Sequence, residues 1–336
     1  MDPSHIMQVG LGFWASKTLL SAVELGLFSA LKQPMTAAEI ASALKLHPRA
    51  VPDFPDALVA LGLLARNGDG HQARYSNTPE GAIFLDKNSP AYVGGMLEMA
   101  NARLYRYWAD LTEALQTGVP QNEIKHSGEP MFAKLYETPE RLDQFMNAMS
   151  GMSAGTFNAF VQQFDFSKYK TLCDIGGATG QLACMVAAAQ PHMRCQSFDL
   201  PKVQPIATRR ITSAGLADRV QAVVGDFFVD PLPKADVITM GMILHDWNLE
   251  KKKVLIRKAY EALTPGGAFV VIEALIDDAR RENAFGLLMS LNMLIEFGDA
   301  FDYSGADFAG WCKEAGFRDF RVIKLVGPSS AAVAYK

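Results

Sequence analysis

The stretch Leu172-Cys-Asp-Ile-Gly-Gly-Ala-Thr-Gly180 decides the fold of this 336-residue chain. It predicts a buried strand, a glycine-rich turn and a helix that begins near Gln181. Asp199 lies 23 residues after Gly176, at the end of a second apolar run. A glycine turn also occurs as a plain tight turn, but a strand, a glycine turn and an acid about 20 residues further on are typical of a nucleotide-type site in a doubly wound sheet. The glycines let the backbone approach a ligand closely, and the acid can accept both hydroxyls of a ribose.

Three further polar segments follow apolar runs that predict strands: Gly225-Asp-Phe-Phe228, Leu244-His-Asp-Trp247 and Glu273. The carboxyl ends of strands in an open α/β sheet form its ligand-binding edge, so we expect these residues at one site. Strands are predicted at 171–175, 194–198, 220–224, 236–242, 267–273, 317–325 and 331–335, and helices at about 180–189, 202–214, 249–263, 280–297 and 304–315. This alternation specifies a mostly parallel sheet with both faces covered, and its last two strands form a hairpin.

In this order and at these spacings, the glycine loop, the acids and the His-Asp-Trp element resemble the plant-type small-molecule O-methyltransferases, including their bacterial natural-product-tailoring branch. The resemblance covers nearly the whole chain. It implies a Rossmann-like class I methyltransferase sheet, doubly wound with an antiparallel final strand, and an N-terminal all-helical winged-helix-like dimerisation domain. It also implies S-adenosyl-L-methionine as cofactor, a homodimer, and transfer to a hydroxyl of a small aromatic metabolite, either phenolic or polyketide-like.

The chain is expected to divide into three regions. Residues 1–90 form the winged-helix-like dimerisation domain, residues 91–165 a helical linker and substrate-pocket region, and residues 166–336 the cofactor-binding domain. In the first region apolar positions recur at helical spacing over 6–32, and Asn67-Gly-Asp-Gly70 predicts a turn before a short strand. Further helices are predicted at 37–44 with Thr36 as N-cap and Glu39 completing a capping box, and at 52–65, 91–116, 131–136 and 139–164.

A winged helix also raises the alternative of a DNA-binding regulator. Residues 51–65, the expected recognition helix, contain Asp53 and Asp56 and no Lys or Arg, so phosphate contacts are missing. A net charge of −4 and a pI near 5.9 also argue against nucleic acid or an anionic membrane as partner. No apolar run reaches the roughly 18 residues of a membrane span.

The compartment and the role of the cysteines follow from simple patterns. The N-terminus lacks the basic region and cleavage pattern of a signal peptide, which predicts a cytoplasmic protein. The four cysteines show no CxxC spacing and are expected to be buried free thiols. Asp, His and Glu residues do not cluster at ligand spacings, so no metal site is predicted.

The catalytic residues are carried over from the resemblance. His245 is expected to be the general base, because the pKa of a neutral histidine lies near working pH; the alternatives are a core histidine or a neighbour of a helix N-cap. Glu273 would orient the imidazole. Asp302 matches the family's second acid but is one methylene shorter, and it could instead cap a helix that starts near Ser304. Asp246 is expected to cap or to accept backbone donors.

The resemblance also assigns the cofactor contacts. The loop residues Gly176, Gly177 and Gly180 would surround the methionine and ribose portion. The remaining assigned positions are Asp174 at the strand end, Asp199 on the ribose, Leu200 on the adenine, and Asp226 with Phe227 bracketing the adenine.

Two positions depart from the family pattern. Ala178 replaces the middle glycine of the loop, which is acceptable if its φ is negative. Gly241 stands where the family often has Lys or Arg.

Substrate positions come from helix faces. Met289, Met293 and Phe297 share one face by their four-residue spacing, and an Asn is common in the family where Phe297 stands. Met149 is expected in the pocket and Met146 in the core. Phe13 and Trp14 would reach the partner subunit's pocket or fill the interface. C- or N-methylation, or a member that has lost methyl transfer, remain open alternatives.

Overall fold

The computed structural model describes residues 2–127 and 138–336. The predicted helix 131–136 lies outside the described residues. The chain forms two compact units, Met1–Arg106 and Tyr107–Lys336. No helix in the described ranges is long and apolar enough to cross a membrane.

The first unit combines helices with a small sheet. Its helices are Ser4–Gly10, Gly12–Glu24, Leu27–Ala30, Ala37–Leu44, Asp53–Ala60, Pro79–Phe84 and Gly94–Met99. Its strands β1 (Met35–Thr36), β2 (Leu64–Asn67) and β3 (Arg74–Asn77) form an antiparallel sheet in the order β1-β3-β2. The predicted hairpin is present, but the description of this domain as all-helical is incomplete. Buried side chains from helices and sheet share one core, including Leu27, Phe28, Leu58 and Tyr75.

Two local predictions in this unit have different outcomes. The capping box is confirmed, because the Thr36 side chain accepts from the Glu39 N–H while the Glu39 carboxylate accepts from the Thr36 N–H. The helix predicted to run to residue 65 is too long. It ends at Ala60, because Gly62 takes a φ of +73° and Leu64 already belongs to β2.

Short helical segments and one long helix lead to the large sheet. They are a π-helical turn Ala100–Leu104, a turn Tyr105–Tyr107, a 3-10 turn Trp108–Asp110, and helices Leu111–Thr117, Glu123–Ser127 and Pro139–Gln163. The continuous helix predicted over 91–116 is therefore broken into segments.

The second unit is built on a seven-stranded sheet. Its strands are β4 (Thr171–Ile175), β5 (Arg194–Asp199), β6 (Val220–Val224), β7 (Ala235–Gly241), β8 (Leu263–Glu273), β9 (Asp319–Lys324) and β10 (Ser330–Tyr335). They lie in the order β6-β5-β4-β7-β8-β10-β9. The five strands from β6 to β8 pair in parallel, whereas β10 runs antiparallel to both β8 and β9. The doubly wound sheet with an antiparallel final strand is confirmed.

Helices cover both faces of this sheet. They are Gln181–Ala189, Gln204–Ser213, Leu249–Ala262, Ala284–Phe297 and Gly305–Ala315. Successive residues of a strand point to opposite faces, so neighbours such as Val237 and Ile238 enter different core clusters. All four cysteines are free and buried, as predicted. The parallel strands β4 to β8 end at one edge of the sheet. The predicted site residues lie at this edge.

Candidate active site

The loop after β4 has room for backbone only. Gly176 and Gly180 take φ values of +66° and +73°, a region that favours glycine. A Cβ on Gly176 would lie 2.4 Å from Ile243 Cδ1, and one on Gly177 would lie 2.3 Å from Ser197 Oγ. Gly180 is also the N-cap of helix Gln181–Ala189. The loop is therefore a glycine cradle with a helix N-terminus behind it.

Ala178, inside this loop, contradicts the condition attached to it from the sequence. Its φ is +48°, not negative, so the replacement of the family glycine leaves an L-residue in the left-handed region. That conformation costs about 1–2 kcal/mol for a residue with a Cβ. The Ala178 N–H donates to Asp199 Oδ2 at 2.8 Å, a bond that helps to hold the conformation.

The two acids at the ends of β4 and β5 have different surroundings. Each carboxylate oxygen of Asp199 accepts one backbone N–H, from Ala178 and from Leu200, and each keeps lone-pair capacity for a ligand hydroxyl. Burial raises the pKa of Asp199, and the two N–H groups oppose that rise. Asp174 is fully enclosed, and Thr239 Oγ1 donates to it at 2.7 Å. Burial raises the pKa of Asp174 to about 7, and its Oδ2 lies 3.2 Å from the position of a Cβ on Gly177.

Aromatic residues form a wall beside the cradle. The Phe227 ring lies 3.9 Å from the position of a Cβ on Gly176. The segment Gly225–Phe228, which follows β6, therefore lies next to the loop. Phe228 packs edge-on against Trp247 with centroids 4.7 Å apart. The Asp226 carboxylate accepts the Phe228 N–H at 2.8 Å. Leu200 packs beside the small core cluster that contains Met146.

Gly241, where the family often has a cation, lies under an aromatic ring. A Cβ at this position would be 3.1 Å from two ring carbons of Phe157, on helix Pro139–Gln163. Phe157 therefore occupies the space into which a longer side chain at this position would extend.

His245 lies in a buried group of acids. It belongs to the 3-10 turn Leu244–Asp246 after β7 and is 3% exposed. Its Nδ1 lies 3.3 Å from Asp302 Oδ1, and its Nε2 lies 3.3 Å from Asp246 Oδ1. Glu273 Oε1 accepts the N–H groups of Ile243 at 3.1 Å and His245 at 3.2 Å.

These contacts change three expectations. Glu273 holds the backbone of the histidine turn, and the carboxyl beside the imidazole Nδ1 is that of Asp302. Asp302 reaches the ring despite its shorter side chain, and the cap of helix Gly305–Ala315 is Ser304, so the capping alternative for Asp302 is wrong. Asp246 was expected to cap or to accept backbone donors, but its Oδ1 lies next to the ring Nε2 of His245.

The acids also change the charge of the base. Burial lowers the pKa of His245, but Asp246, Asp302 and Glu273 outweigh burial and raise it to about 10. The expectation of a pKa near working pH is therefore wrong. Burial raises the pKa of Asp246 to about 7, against the opposing charge of His245. A proton in this cluster is consequently held by the imidazole.

Two functional neighbours escaped the sequence reasoning. Lys252, in the run Lys251-Lys-Lys253, is completely buried near the acids. Tyr303, beside Asp302, is also buried, and its hydroxyl lowers the pKa of Glu273 while burial raises it. Neither residue carries a sequence signal. For Lys252, a run of lysines on a helix ordinarily indicates a face exposed to solvent.

The predicted substrate residues lie on two helices. On Ala284–Phe297, Met293 is buried, whereas Met289 and Phe297 are half-buried. Met149 is half-buried on Pro139–Gln163, one residue before Ser150, whose hydroxyl lies 2.8 Å from Thr179 Oγ1 in the glycine loop. Met146 is a core residue, as predicted. Across residues 2–127 and 138–336, no group of three or more His, Cys, Asp or Glu side chains could hold a metal ion.

The sheet, the glycine cradle and Asp199, the acid expected to bind a ribose, together define the class of S-adenosylmethionine-dependent methyltransferases. Residues 108–318 match the O-methyltransferase domain, and residues 7–87 match the O-methyltransferase dimerisation domain. The chain therefore belongs to the O-methyltransferase family, which confirms the predicted fold class, cofactor and enzyme class. The match over 7–87 favours dimerisation over the regulator alternative.

Relatives with named reactions cover almost the whole chain. It is 40% identical to the tetracenomycin polyketide synthesis 8-O-methyl transferase TcmO of Streptomyces glaucescens, over 99% of this chain and 97% of that protein. It is 39% identical to the N,N-dimethyltransferase OxyT of Streptomyces rimosus, over 93% of this chain and 90% of that protein.

Solved structures extend the similarity to the fold. The human N-acetylserotonin methyltransferase in complex with S-adenosylmethionine matches with a TM-score of 0.91 and 30% identity, covering 100% of this chain and 98% of that one. The O-methyltransferase NcsB1 from neocarzinostatin biosynthesis, in complex with S-adenosylmethionine and 2-hydroxy-5-methyl naphthoic acid, matches with a TM-score of 0.76 and 28% identity over 95% of both chains.

Proposed function

We propose that this enzyme methylates a hydroxyl group of a small aromatic metabolite and that His245 accepts the hydroxyl proton. The observation that carries the proposal is the buried imidazole set between Asp246 and Asp302 at the carboxyl edge of the sheet. The relatives named for a polyketide 8-O-methyl transfer and for a complex with a hydroxynaphthoic acid support an aromatic hydroxyl as acceptor.

The residues of the cradle fit S-adenosylmethionine. Gly176 and Gly177 carry no side chain and pack directly against Ile243 and Ser197, Asp199 has lone pairs available for two hydroxyls, and Phe227 supplies an aromatic surface beside them. Asp174 would support the cradle, Gly180 would present the helix N-terminus, and Leu200 and Asp226 would flank the adenine. When bound, the cofactor supplies a methyl group from a sulfonium.

The strength of the base suits a weakly acidic hydroxyl. A phenol has a pKa of about 10, taking the tyrosine reference, and the pKa of His245 is also raised to about 10. Once His245 has lost its own proton, transfer of the hydroxyl proton between two groups of similar pKa is close to neutral in free energy. The protein's own part is then to hold this proton on His245, with Asp302 stabilising the imidazolium and Glu273 fixing the backbone of the turn.

Turnover of a naphthol panel tests this role. With a phenol of pKa near 10, His245→Ala should lose about 10²–10⁴ in rate, the usual contribution of a general base, while binding S-adenosylhomocysteine like the wild type. His71→Ala, which removes an exposed histidine of the first unit, is the control. A His245→Ala enzyme that retains the rate of His71→Ala on this phenol would exclude a base role.

N-methylation is the second candidate, because a relative 39% identical is named an N,N-dimethyltransferase. A neutral amine needs no base to attack a methyl group. An enzyme of this kind should accept aromatic amines and lose little rate in His245→Ala, so the same panel extended to anilines distinguishes the two. A product carrying the label on carbon would indicate the C-methylating alternative.

We also propose that the protein is a homodimer. The match of residues 7–87 to a dimerisation domain supports it, as do large apolar side chains exposed on the first helices, including Ile6, Val9 and Trp14. Sedimentation at micromolar concentration should give a dimer, and Trp14→Glu should shift it towards monomer. A monomeric wild type would contradict this proposal.

A further inference from the structure

The side chain of Lys252 lies inside the protein. It belongs to helix Leu249–Ala262 and is completely buried, whereas its neighbours Lys251 and Lys253 are exposed and half-buried. Removing an ammonium from water is costly, so buried lysines are rare unless they are paired. The partners of this ammonium therefore indicate what it does.

The ammonium of Lys252 joins two loops. It donates to the carbonyl oxygen of Trp247 and, at 2.8 Å, to that of Phe301, and it lies 3.9 Å from the centre of the Phe301 ring. Trp247 is two residues after His245, and Phe301 directly precedes Asp302. One cation thus holds together the turn that carries the imidazole and the loop that carries its carboxylate partner.

The same ammonium lies in the field of the acids. Burial lowers the pKa of Lys252 to about 8, and the surrounding carboxylates oppose that fall. The ionisable groups that face it are Glu273 on β8, Asp246 on the histidine turn, and Asp299 and Asp302 on the loop before helix Gly305–Ala315. Tyr303, with its ring centre 5.6 Å from Nζ, completes its surroundings.

We propose that Lys252 is a positioning residue for the base: its ammonium fixes the spacing between His245 and Asp302 by holding the carbonyl groups of Trp247 and Phe301 together. This inference rests on the proposed role of His245. The sign of the effect follows from the contact that loosens when the ammonium is removed. The Asp302 carboxylate favours the imidazolium, so a wider spacing should make His245 easier to deprotonate.

The test compares Lys252→Met, which keeps the length of the side chain and removes its charge, with Lys252→Arg and Lys253→Met. Lys253 sits on the same helix and pairs with Glu314 at the surface, so it is a matched control. Asn248 Nδ2 donates to Asp299 Oδ2 at 2.7 Å and joins the same two segments, so the loop retains one tie in every variant.

The main readout is NMR titration of ¹⁵N-labelled histidines in the full chain, with the His245 signal identified from His245→Ala. Lys252→Met should lower the pH of His245 deprotonation by on the order of one unit. One unit gives about tenfold more unprotonated imidazoles at a given pH, so the pH profile of turnover on a high-pKa phenol should shift downward by about one unit. Lys252→Arg and Lys253→Met should resemble the wild type, and S-adenosylhomocysteine affinity should be unchanged.

Coincident titrations of Lys252→Met and Lys253→Met, with only thermal stability reduced, would overturn the inference and leave Lys252 a structural tie. The same holds if Lys252→Arg fails to restore the titration of a folded protein. A wild type that methylates no aromatic hydroxyl would refute the proposed function separately, and the imidazole titration would still decide the role of Lys252.

Discussion

The glycine cradle gives the sharpest test of the cofactor site, through Gly176→Ala. The new Cβ would sit at a φ of +66° and 2.4 Å from Ile243 Cδ1. The backbone conformation alone costs about 1–2 kcal/mol of folding free energy. Ile243 must also move, and its side chain and the Phe227 ring close the cradle on this side. Overpacking of this kind costs about 1–3 kcal/mol, which corresponds to about 5- to 150-fold in affinity if the cradle must accept a ligand.

Gly215→Ala separates the cost of the backbone conformation from the cost of the clash with Ile243. Gly215 has a φ of +67° in the same unit, but nothing lies within 4 Å of its added Cβ. Gly215→Ala should lose about 1–2 kcal/mol in urea denaturation, and Gly176→Ala should lose that amount plus the overpacking cost. Only Gly176→Ala should lose affinity for S-adenosylhomocysteine in a calorimetric titration. Equal affinities for the two variants would show that the loop after β4 does not contact the cofactor.

Three further predictions concern the same site. Ala178→Gly should be neutral or should stabilise the fold by up to about 1 kcal/mol in urea denaturation, because relief of the left-handed φ exceeds the added entropy of glycine; a loss above 1 kcal/mol would contradict this. Asp199→Ala should weaken cofactor binding by about 1–3 kcal/mol in calorimetry, whereas the exposed Asp218→Ala should leave it unchanged. Asp302→Asn should lower the pKa of His245, because a carboxylate that favours the imidazolium is removed. The pH–rate profile should move to lower pH, whereas the limiting rate at high pH on a high-pKa phenol should fall because the base is weaker; an unmoved profile would count against the contact.

The sheet could be predicted well because its strands are short apolar runs with polar ends. β4 and β6 begin and end at the predicted residues, β5 ends one residue later than predicted, and β7 is displaced by one residue. β8 begins at Leu263, four residues earlier than predicted, because Pro265 and the glycines after it did not indicate a strand. In the first unit, the end of the helix at Ala60 was not predicted, because the apolar run continues beyond it. Apolar periodicity does not show that Gly62 turns the chain.

The location of the site could be predicted, but its internal contacts could not. Asp246, Glu273 and Asp302 come from a turn, a strand end and a loop, so which of them faces the imidazole depends on the fold. The φ of Ala178 depends in the same way on Asp199, which holds its N–H from another strand. Lys252 carries no signal, because a buried lysine and a surface lysine have the same place in a helical pattern.

The charges around His245 bear on which acceptor hydroxyl suits the proposed reaction. Four carboxyls face the imidazole or the ammonium, those of Asp246, Glu273, Asp299 and Asp302, so two negative charges are uncompensated when all six groups are ionised. This excess makes His245 a stronger base than an ordinary histidine, and it favours a cationic ligand beside the cluster. A base with a pKa of about 10 adds little for a hydroxyl that is already ionised at neutral pH. As the proposed base, His245 is matched to weakly acidic hydroxyls, so we expect the acids around it to favour acceptors whose hydroxyl is not already ionised.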